Sequence, residues 1–486
     1  MSLRKVANVV GLLQVFVALF MASAAGVAAI YGEAESALAI LAAAAITFTV
    51  GGAVYKTTTF EGDVTTREGF AIVTLAWAAT AIFGALPYLL TGTLGSPVAA
   101  VFEAMSGFTT TGATVFSEIE GLSHGMLFWR SLTHWLGGMG IIVLVIAILP
   151  YLGVGGMQLF QAEVPGPTPE RLRPRITQTA KLLWLVYVGL TLVQTLLYVA
   201  GGVGWFDAVN HSFSTLATGG FSTRDASLAA FESPYIHWVT IAFMYLAGVN
   251  FALHFKAATG RPMYVRDQEW RFFTLLLLGA AAVIAALNLT AGSYDAIEPA
   301  IRHGLFQSAA IITTTGFVSA DYESWVPGAQ MVLFTLFFVG GMAGSTGGGI
   351  KAVRVLLLLK HTLNEIRKTL HPRAILVARI GRKPIKEDVL AHVIGFVVLY
   401  LLLCLSGALV MGLLGMDPLT AIGASIATVG NVGPGFGAVG ATDNYGWMSE
   451  PALAILSFLM LVGRLEIYTV LVLFHRETWK ARRSYH

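Results

Sequence analysis

Four short runs of threonine, serine and glycine are the residues of this sequence best suited to chemistry. They occupy residues 105–115, 211–222, 307–317 and 424–431. The hydroxyl-rich part of each run ends on a glycine, and these glycines recur at intervals of about one hundred residues: Gly112, Gly220, Gly316 and Gly430. An interval this long is too long for a solenoid repeat and is typical of a supersecondary unit copied four times.

The residue types in these runs favour binding of a cation by the backbone. Threonine and glycine add little bulk, and glycine tolerates positive φ, so successive carbonyls can point to one side. Four such runs around one axis would form a ring of oxygens that replaces the hydration shell of an alkali ion. A single run would more simply be a helix end with a glycine C-cap. The recurrence in four copies favours the cation-binding interpretation.

The composition places these runs in a membrane. Hydrophobic residues make up 56% of the 486 positions and charged residues only 12%, whereas soluble proteins contain about 25% charged residues. A single cysteine, Cys404, excludes an internal disulfide. No nucleophile, metal-ligand set or cofactor motif stands out, so a membrane enzyme or a carrier of non-ionic solutes is disfavoured. We therefore predict a polytopic membrane protein that is not an enzyme.

Long apolar segments flank each run and must position it. Each unit is predicted as an apolar helix, a short re-entrant pore helix that leads into the run, and a second apolar helix. The second helices of units two and four are predicted to be continuous over residues 236–255 and 452–474. Ser96 and Asp417, each followed by proline, are predicted N-caps of the short helices, with Asp207 and Asp295 in similar roles.

The predicted fold is an all-α polytopic membrane protein with four pseudo-repeated helix–pore helix–helix units around one central pore, plus an N-terminal two-helix hairpin. The predicted segments are residues 1–60 for the hairpin, 61–160 for pore unit 1, 178–260 for unit 2, 268–361 for unit 3 with a broken second helix, 385–478 for unit 4, and 362–384 for a cytoplasmic basic loop.

The hairpin and the four pairs of long helices give ten predicted spanning elements. All but four of the 30 lysines and arginines lie at the termini or between units. This bias predicts that both termini are cytoplasmic.

Two features of the predicted inner half of the pore suggest a gate. Six glycines within ten residues interrupt the second helix of unit three: Gly340, Gly341, Gly344, Gly347, Gly348 and Gly349. A break at membrane depth lines a solvated cavity or allows close packing of helices. Arg464 lies inside an apolar helix, either as a fixed charge near the pore or as a partner of a carboxylate on another helix.

These features together resemble the Trk/Ktr/HKT superfamily of potassium transporters. The resemblance rests on the four runs, the glycine-rich break and the segment Gly463-Arg-Leu-Glu-Ile-Tyr468. The two additional N-terminal helices are most similar to its TrkH branch. The resemblance implies potassium uptake across the bacterial cytoplasmic (inner) membrane, a homodimer in the lipid bilayer, and a cytoplasmic nucleotide-binding regulatory subunit of the TrkA type. It implies potassium as the transported ion, no organic cofactor and no nucleic acid.

By position, the resemblance assigns the selectivity filter, with potassium bound at it, to sixteen residues. They are Thr110, Thr111, Gly112 and Ala113; Thr218, Gly219, Gly220 and Phe221; Thr314, Thr315, Gly316 and Phe317; and Thr428, Val429, Gly430 and Asn431. None contains the longer Thr-Val-Gly-Tyr-Gly run of potassium channels, so the strictness of selection against sodium stays open.

Several alternatives also stay open. A symporter that couples potassium to sodium or protons would need a carboxylate facing the pore, and Glu103 and Glu466 are the candidates. The ten lysines and arginines of residues 351–386 form either a docking surface for the regulatory subunit or only a topology signal. Residues 371–388 are either a small strand pair or a solvated loop.

Overall fold

The computed structural model describes residues 2–60, 64–140, 176–261, 263–374, 376–381 and 383–479. Within these ranges six helices are long and apolar enough to span a membrane, and two bent helix pairs are long and apolar enough only when each pair is taken together. The only sheet in the described ranges is a two-stranded hairpin, formed by β1 (Arg379–Ile380) and β2 (Lys383–Pro384) in antiparallel register. Of the two alternatives for this segment, the structure thus forms the strand pair.

The chain begins with a tightly packed helical hairpin, α1 (Leu3–Ile30) and α2 (Ala34–Thr57). The two helices cross at Gly11 and Gly51, where a β-carbon on either glycine would lie 2.8 Å from the other's carbonyl oxygen. Small residues at a crossing let two backbones approach closely, which favours helix association in a membrane. Asn8 donates to the carbonyls of Tyr55 (2.9 Å) and Thr58 (2.7 Å), which satisfies the end of α2.

Four units follow, each with a short helix between two other apolar helices. Unit one contains α3 (Thr66–Gly84), α4 (Leu86–Leu90), α5 (Pro97–Phe108) and α6 (His124–Gly138); unit two contains α7 (Ile176–Ala200), α8 (Trp205–Leu216), α9 (Pro234–Gly248) and α10 (Phe251–Ala258). Unit three contains α11 (Gln268–Thr290), α12 (Ile297–Ile312), α13 (Pro327–Leu336) and α14 (Ala352–Leu370); unit four contains α15 (Glu387–Leu413), α16 (Pro418–Gly430), α17 (Glu450–Arg464), α18 (Ile467–Phe474) and α19 (Arg476–Trp479). Residues 141–149 of the predicted second helix of unit one lie outside the described residues.

The prediction of continuous second helices in units two and four was wrong. Helices α9 and α10 meet at an angle of 103°, and α17 and α18 meet at 115°. At the first bend, the side chain of Asn250 accepts a hydrogen bond from the Ala252 amide (2.8 Å) and so starts a new helix. At the second bend, Glu466 adopts a φ of 58°. Both segments have a high mean hydropathy despite Asn250 at the first bend and Arg464 and Glu466 at the second, so hydropathy alone does not reveal the bends.

The four short helices α5, α8, α12 and α16, here called the pore helices, begin in different ways. Ser96 and Asp417 cap α5 and α16 as predicted, with Asp417 accepting from the amides of Leu419 (3.0 Å) and Thr420 (3.1 Å). The predicted caps at Asp207 and Asp295 were wrong. Gly204 and Ala296 occupy those positions, and neither makes a side-chain cap bond. Asp207 lies one turn further in and accepts from Thr223 (2.7 Å) and Arg224 (2.6 Å) instead.

The crossing of α1 and α2 can be tested with neighbouring glycines. Gly51→Leu places a side chain against the backbone of α1, whereas Gly52 has open space at its β-position. Overpacking of this kind typically costs about 1–3 kcal/mol. We expect Gly51→Leu to lower the thermal midpoint of the purified protein in detergent. Gly52→Leu makes the same gain in helix propensity and is the control. Equal midpoints for the two variants would show that the crossing does not depend on Gly51.

Candidate functional site

The backbone takes the same unusual conformation after each pore helix. One residue there has positive φ although it is not glycine: Thr110 (54°), Thr218 (54°), Thr314 (59°) and Asn431 (54°). Two residues later a glycine with positive φ follows: Gly112 (81°), Gly220 (86°), Gly316 (73°) and Gly433 (96°). We call these four glycines the glycine ring. The left-handed region is sparsely populated by residues with a β-carbon and marks functional sites when it recurs.

The glycine ring is closed by backbone contacts between units. A β-carbon added to Gly112 would overlap the carbonyl oxygen of Gly219, and one added to Gly220 would overlap that of Thr315. In the same way, Gly316 faces the carbonyl of Val432, and Gly433 faces the carbonyl of Thr111. Each unit thus touches the next, and the fourth touches the first. The four segments surround one axis, and no side chain fits at the glycine positions.

The fourth glycine of the ring is not the one that the sequence indicated. Gly430, with Thr428 and Val429, belongs to the last turn of α16, and a β-carbon there would come no nearer to another atom than 3.2 Å, the distance to the Tyr400 hydroxyl. Asn431 takes the left-handed position that threonine holds in the other units, which asparagine tolerates better than most residues. Its side-chain amide donates to Thr111 Oγ1 and to the Met460 carbonyl, both at 3.0 Å. The Asn-Val-Gly triplet therefore corresponds to Thr-Thr-Gly, three residues later than predicted.

The other predicted residues lie in or beside the ring. Ala113, Phe221 and Phe317 directly follow the ring glycines and are buried. Within the described ranges, no residue donates a hydrogen bond to the two carbonyls that precede each ring glycine: those of Thr110, Thr111, Thr218, Gly219, Thr314, Thr315, Asn431 and Val432. The pore helices end just before these carbonyls. The negative ends of their dipoles therefore favour a cation near the axis.

The glycine ring separates two cavities. The one that we call outer has a volume of about 70 Å³ and is lined by ring residues together with Asp225 and Asp443. The inner cavity has a volume of about 90 Å³ and is lined by Arg464 and by residues 344–349, among others.

The glycine-rich segment between α13 and α14, residues 337–351, lies against the inner end of the ring. The Gly348 amide donates to Thr314 Oγ1 (2.6 Å) in unit three, and a β-carbon on Gly348 would lie 2.7 Å from the Gly430 carbonyl in unit four. Thr346 donates to the carbonyl of Leu216 (3.0 Å), the last residue of α8 in unit two. The segment therefore contacts the ends of three pore helices or the residues that follow them.

Arg464 connects this segment to the remaining unit. It donates to the Thr346 carbonyl (2.8 Å) and to the carbonyls of Gly137 (2.7 Å) and Gly138 (3.2 Å) at the end of α6. A guanidinium group has five donors in a fixed plane, so it can hold several carbonyls at once. The nearby carboxylate of Glu466 pairs with Arg354 instead, at 2.7 Å.

A buried carboxylate binds both the middle of this segment and the start of α14, which follows it. Glu269, in the first turn of α11, accepts from the amide of Ala343 (2.7 Å) and from the amide of Val353 (3.1 Å) with one oxygen. Sequence reasoning missed Glu269 because it lies in another helix, 74 residues before Ala343. A glutamate in the first turn of a helix is also commonplace, so its type and position gave no signal.

The fold and the ring define a polytopic membrane protein in which four repeated units close around a carbonyl-lined axis. A model of the TrkH family, described as cation transport protein, matches residues 36–481. The chain belongs to this family. Membership confirms that the protein is not an enzyme.

The sequences of known proteins match this chain over most or nearly all of its length. The Trk system potassium uptake protein TrkH of Halomonas elongata is 40% identical over 485 residues, which cover 99% of this chain and 100% of that protein. The protein of the same name from Escherichia coli K12 is 41% identical over 424 residues, 86% of this chain and 87% of its own length. The crystal structure of the potassium transporter TrkH from Vibrio parahaemolyticus matches with a TM-score of 0.89 at 36% identity, covering 99% of this chain and 100% of that one. This match confirms the all-α polytopic membrane fold.

Removing the Glu269 carboxylate tests whether it holds the glycine-rich segment in place. In a Cys404→Ser background, Ser345→Cys places a single reporter thiol in the segment. Adding Glu269→Ala removes the acceptor of two amides, so we expect a thiol reagent to label the reporter several-fold faster.

Glu269→Gln is the matched control because its side-chain oxygen still accepts from both amides. It should label close to the parent rate. Equal labelling rates in the parent, the alanine variant and the glutamine variant would show that Glu269 does not restrain the segment.

Proposed function

We propose that this protein takes up potassium across the bacterial cytoplasmic membrane and that the ion passes through the glycine ring. The observation that carries the proposal is the closed ring of contacts between ring glycines and carbonyls of the adjacent unit. A ring of backbone carbonyls can replace the water around an alkali ion. The printed names of the relatives, potassium uptake proteins, favour potassium among the alkali ions.

The proposed filter combines most of the predicted residues with the corrected fourth segment. It comprises the segments that begin at Thr110, Thr218, Thr314 and Asn431 and end at the ring glycines, and potassium binds to their carbonyls. Thr428, Val429 and Gly430 support the fourth segment as the end of α16.

The two carboxylates that a symporter could use are both engaged in ion pairs. Glu103 bonds Arg130 at 3.0 Å, and Glu466 bonds Arg354 at 2.7 Å. A carboxylate fixed by an arginine is a poor site for exchanging protons or sodium, because the pair must first be broken. The geometry therefore favours gated, passive conduction over symport coupled to sodium or protons.

We propose that residues 340–349 and Arg464 form the gate. The segment lies against the inner end of the ring, and Arg464 fixes it to the end of α6. The positive charge of Arg464 lines the inner cavity and opposes the passage of a cation, an effect that grows as the local dielectric falls. Opening then requires the segment to withdraw, and its glycines permit the backbone change.

The proposed partners act from the cytoplasmic side. The lysine and arginine bias supports the proposal that both termini lie on that side. The basic segment 351–386, which includes β1 and β2, is proposed to dock the nucleotide-binding regulatory subunit. The protein itself is proposed to be a homodimer.

Substitution of the fourth ring glycine tests the proposed filter. Gly433→Ser introduces a side chain at a φ of 96° and against the Thr111 carbonyl. We expect it to abolish potassium flux or to lower the potassium-to-sodium permeability ratio about tenfold or more, since the coordinating carbonyls are displaced. The measurement is the reversal potential of the purified protein in planar bilayers under opposing potassium and sodium solutions.

Gly430→Ala is the control, because its helical position accepts a methyl group after a small shift of Tyr400. It should keep the selectivity of the parent protein. A Gly433→Ser variant that conducts with the selectivity of the parent protein would contradict the corrected ring. The contradiction would be strongest if Gly430→Ala lost selectivity in the same experiment.

Neutralising Arg464 tests the gate. Arg464→Gln removes the positive charge and weakens the link to Gly137, so we expect potassium influx into vesicles without the regulatory subunit to rise several-fold. Arg302→Gln is the control, since Arg302 is also buried but pairs with Glu298 (2.8 Å). An Arg464→Gln protein that folds and conducts no faster than the parent would place the gate elsewhere.

A further inference from the structure

A completely buried ion pair lies directly behind the outer part of the glycine ring. Glu103, in pore helix α5, accepts from Arg130 of α6 at 3.0 Å, and the two side chains are 0% and 1% exposed. Removing two charges from water is so costly that a buried pair is weak evidence for stability. Because stability alone does not explain the pair, its presence here points to a role that an apolar pair could not fill.

The pair holds the filter segments of two different units. Glu103 accepts from the Val115 amide (2.9 Å) and the Thr114 hydroxyl (3.0 Å), which follow Gly112 in unit one. Arg130 donates to the Ser222 carbonyl (3.2 Å), two residues after Gly220 in unit two. The pair is therefore a direct, charged connection between the outer ends of the first and second segments.

Arg130 also holds the second segment by stacking. Its guanidinium lies 4.2 Å from the centre of the Phe221 ring, and Phe221 directly follows Gly220. On its other side Phe221 stacks on His134, with the ring centres 4.1 Å apart. An arginine over an aromatic face is attracted by the ring electrons, more strongly where water is excluded.

The contact between units one and two differs from the other contacts of the ring because it includes this ion pair. With Gly433 as the fourth ring glycine, the residue nine positions before each ring glycine is Glu103, His211, Gln307 or Ala424. His211 Nε2 bonds only the Ser222 hydroxyl in its own unit (2.8 Å), and Gln307 donates to the Ala320 carbonyl (3.2 Å). Ala424 has no polar side chain. Among these four positions, only Glu103 carries a charge that is balanced by an arginine contacting the next unit.

We propose that Glu103 and Arg130 are positioning residues that set ion selectivity, by fixing the separation of the first and second filter segments. The inference rests on the proposed function, since it assumes that potassium passes the ring. Sodium is smaller than potassium, so carbonyls must approach the axis more closely to coordinate it. The charged connection, anchored on the backbone of both segments, prevents the carbonyls of Thr111 and Gly219 from closing in.

Conservative variants separate this role from a merely structural one. Glu103→Gln keeps the shape and the acceptor for Val115 but removes the charge, and Arg130→Lys keeps the charge but removes the planar set of donors. We expect both to lower the potassium-to-sodium permeability ratio several-fold in planar bilayers while single-channel conductance to sodium rises. Glu298→Gln, an exposed partner of Arg302, is the control and should leave the ratio unchanged.

A double variant covers the case in which a single one fails to fold. Glu103→Met with Arg130→Met removes both charges and leaves no unpaired ion, so it should fold more readily than either single change. We expect this folded protein to conduct with reduced selectivity. A wild-type permeability ratio in the double variant, or in a folded Glu103→Gln protein, would overturn the inference.

The result for Gly433→Ser shows whether a failure concerns only the role of the ion pair or the proposed filter itself. If that variant loses selectivity while the Glu103 and Arg130 variants keep it, the ring is the filter and the pair is structural. If Gly433→Ser also keeps selectivity, the proposed filter itself is wrong.

Discussion

The structure depends on one steric constraint, the contact between each ring glycine and a carbonyl of the adjacent unit. No β-carbon fits at these contacts, so four segments can meet around one axis only with glycine at all four positions. The elements behind the ring obey the same constraint. Gly137 packs against the Phe108 carbonyl, and Gly463 packs against the Val429 carbonyl. The second helices of units one and four thus come into backbone contact with their pore helices, which fixes the pore helix ends.

The same contacts explain why the inner side of the pore is crowded. Gly463 directly precedes Arg464, so close packing of α17 on its pore helix also brings this arginine beside the inner cavity. The segment 337–351 fills the remaining space and is held by Thr314, by Glu269 and by Arg464 itself. Closure of the pore is thus proposed to depend on hydrogen bonds to carbonyls and amides. Such bonds are individually modest and can be exchanged for bonds to water.

The sequence predicted the membrane fold and three of the four ring glycines, because apolar length and recurring Thr-Gly runs are local signals. The fourth glycine was missed because Asn431 stands where the other units have threonine, while Thr428-Val-Gly430, which looks like a filter run, is the last turn of α16. The bends after Gly248 and Arg464 were missed because hydropathy does not report a change in the direction of the helix axis. The connections made by Glu103 and Glu269 depend on residues of other elements, so no spacing rule indicates them.

The positions of bound cations decide whether the carbonyls beside the glycine ring coordinate them. Crystals of the protein grown with thallium or rubidium in place of potassium would give an anomalous difference map. We expect peaks on the axis, surrounded by the carbonyls of Thr111, Gly219, Thr315 and Val432. A map whose strong peaks lie only in the outer cavity, beside Asp225 and Asp443, with none within the ring, would contradict this expectation.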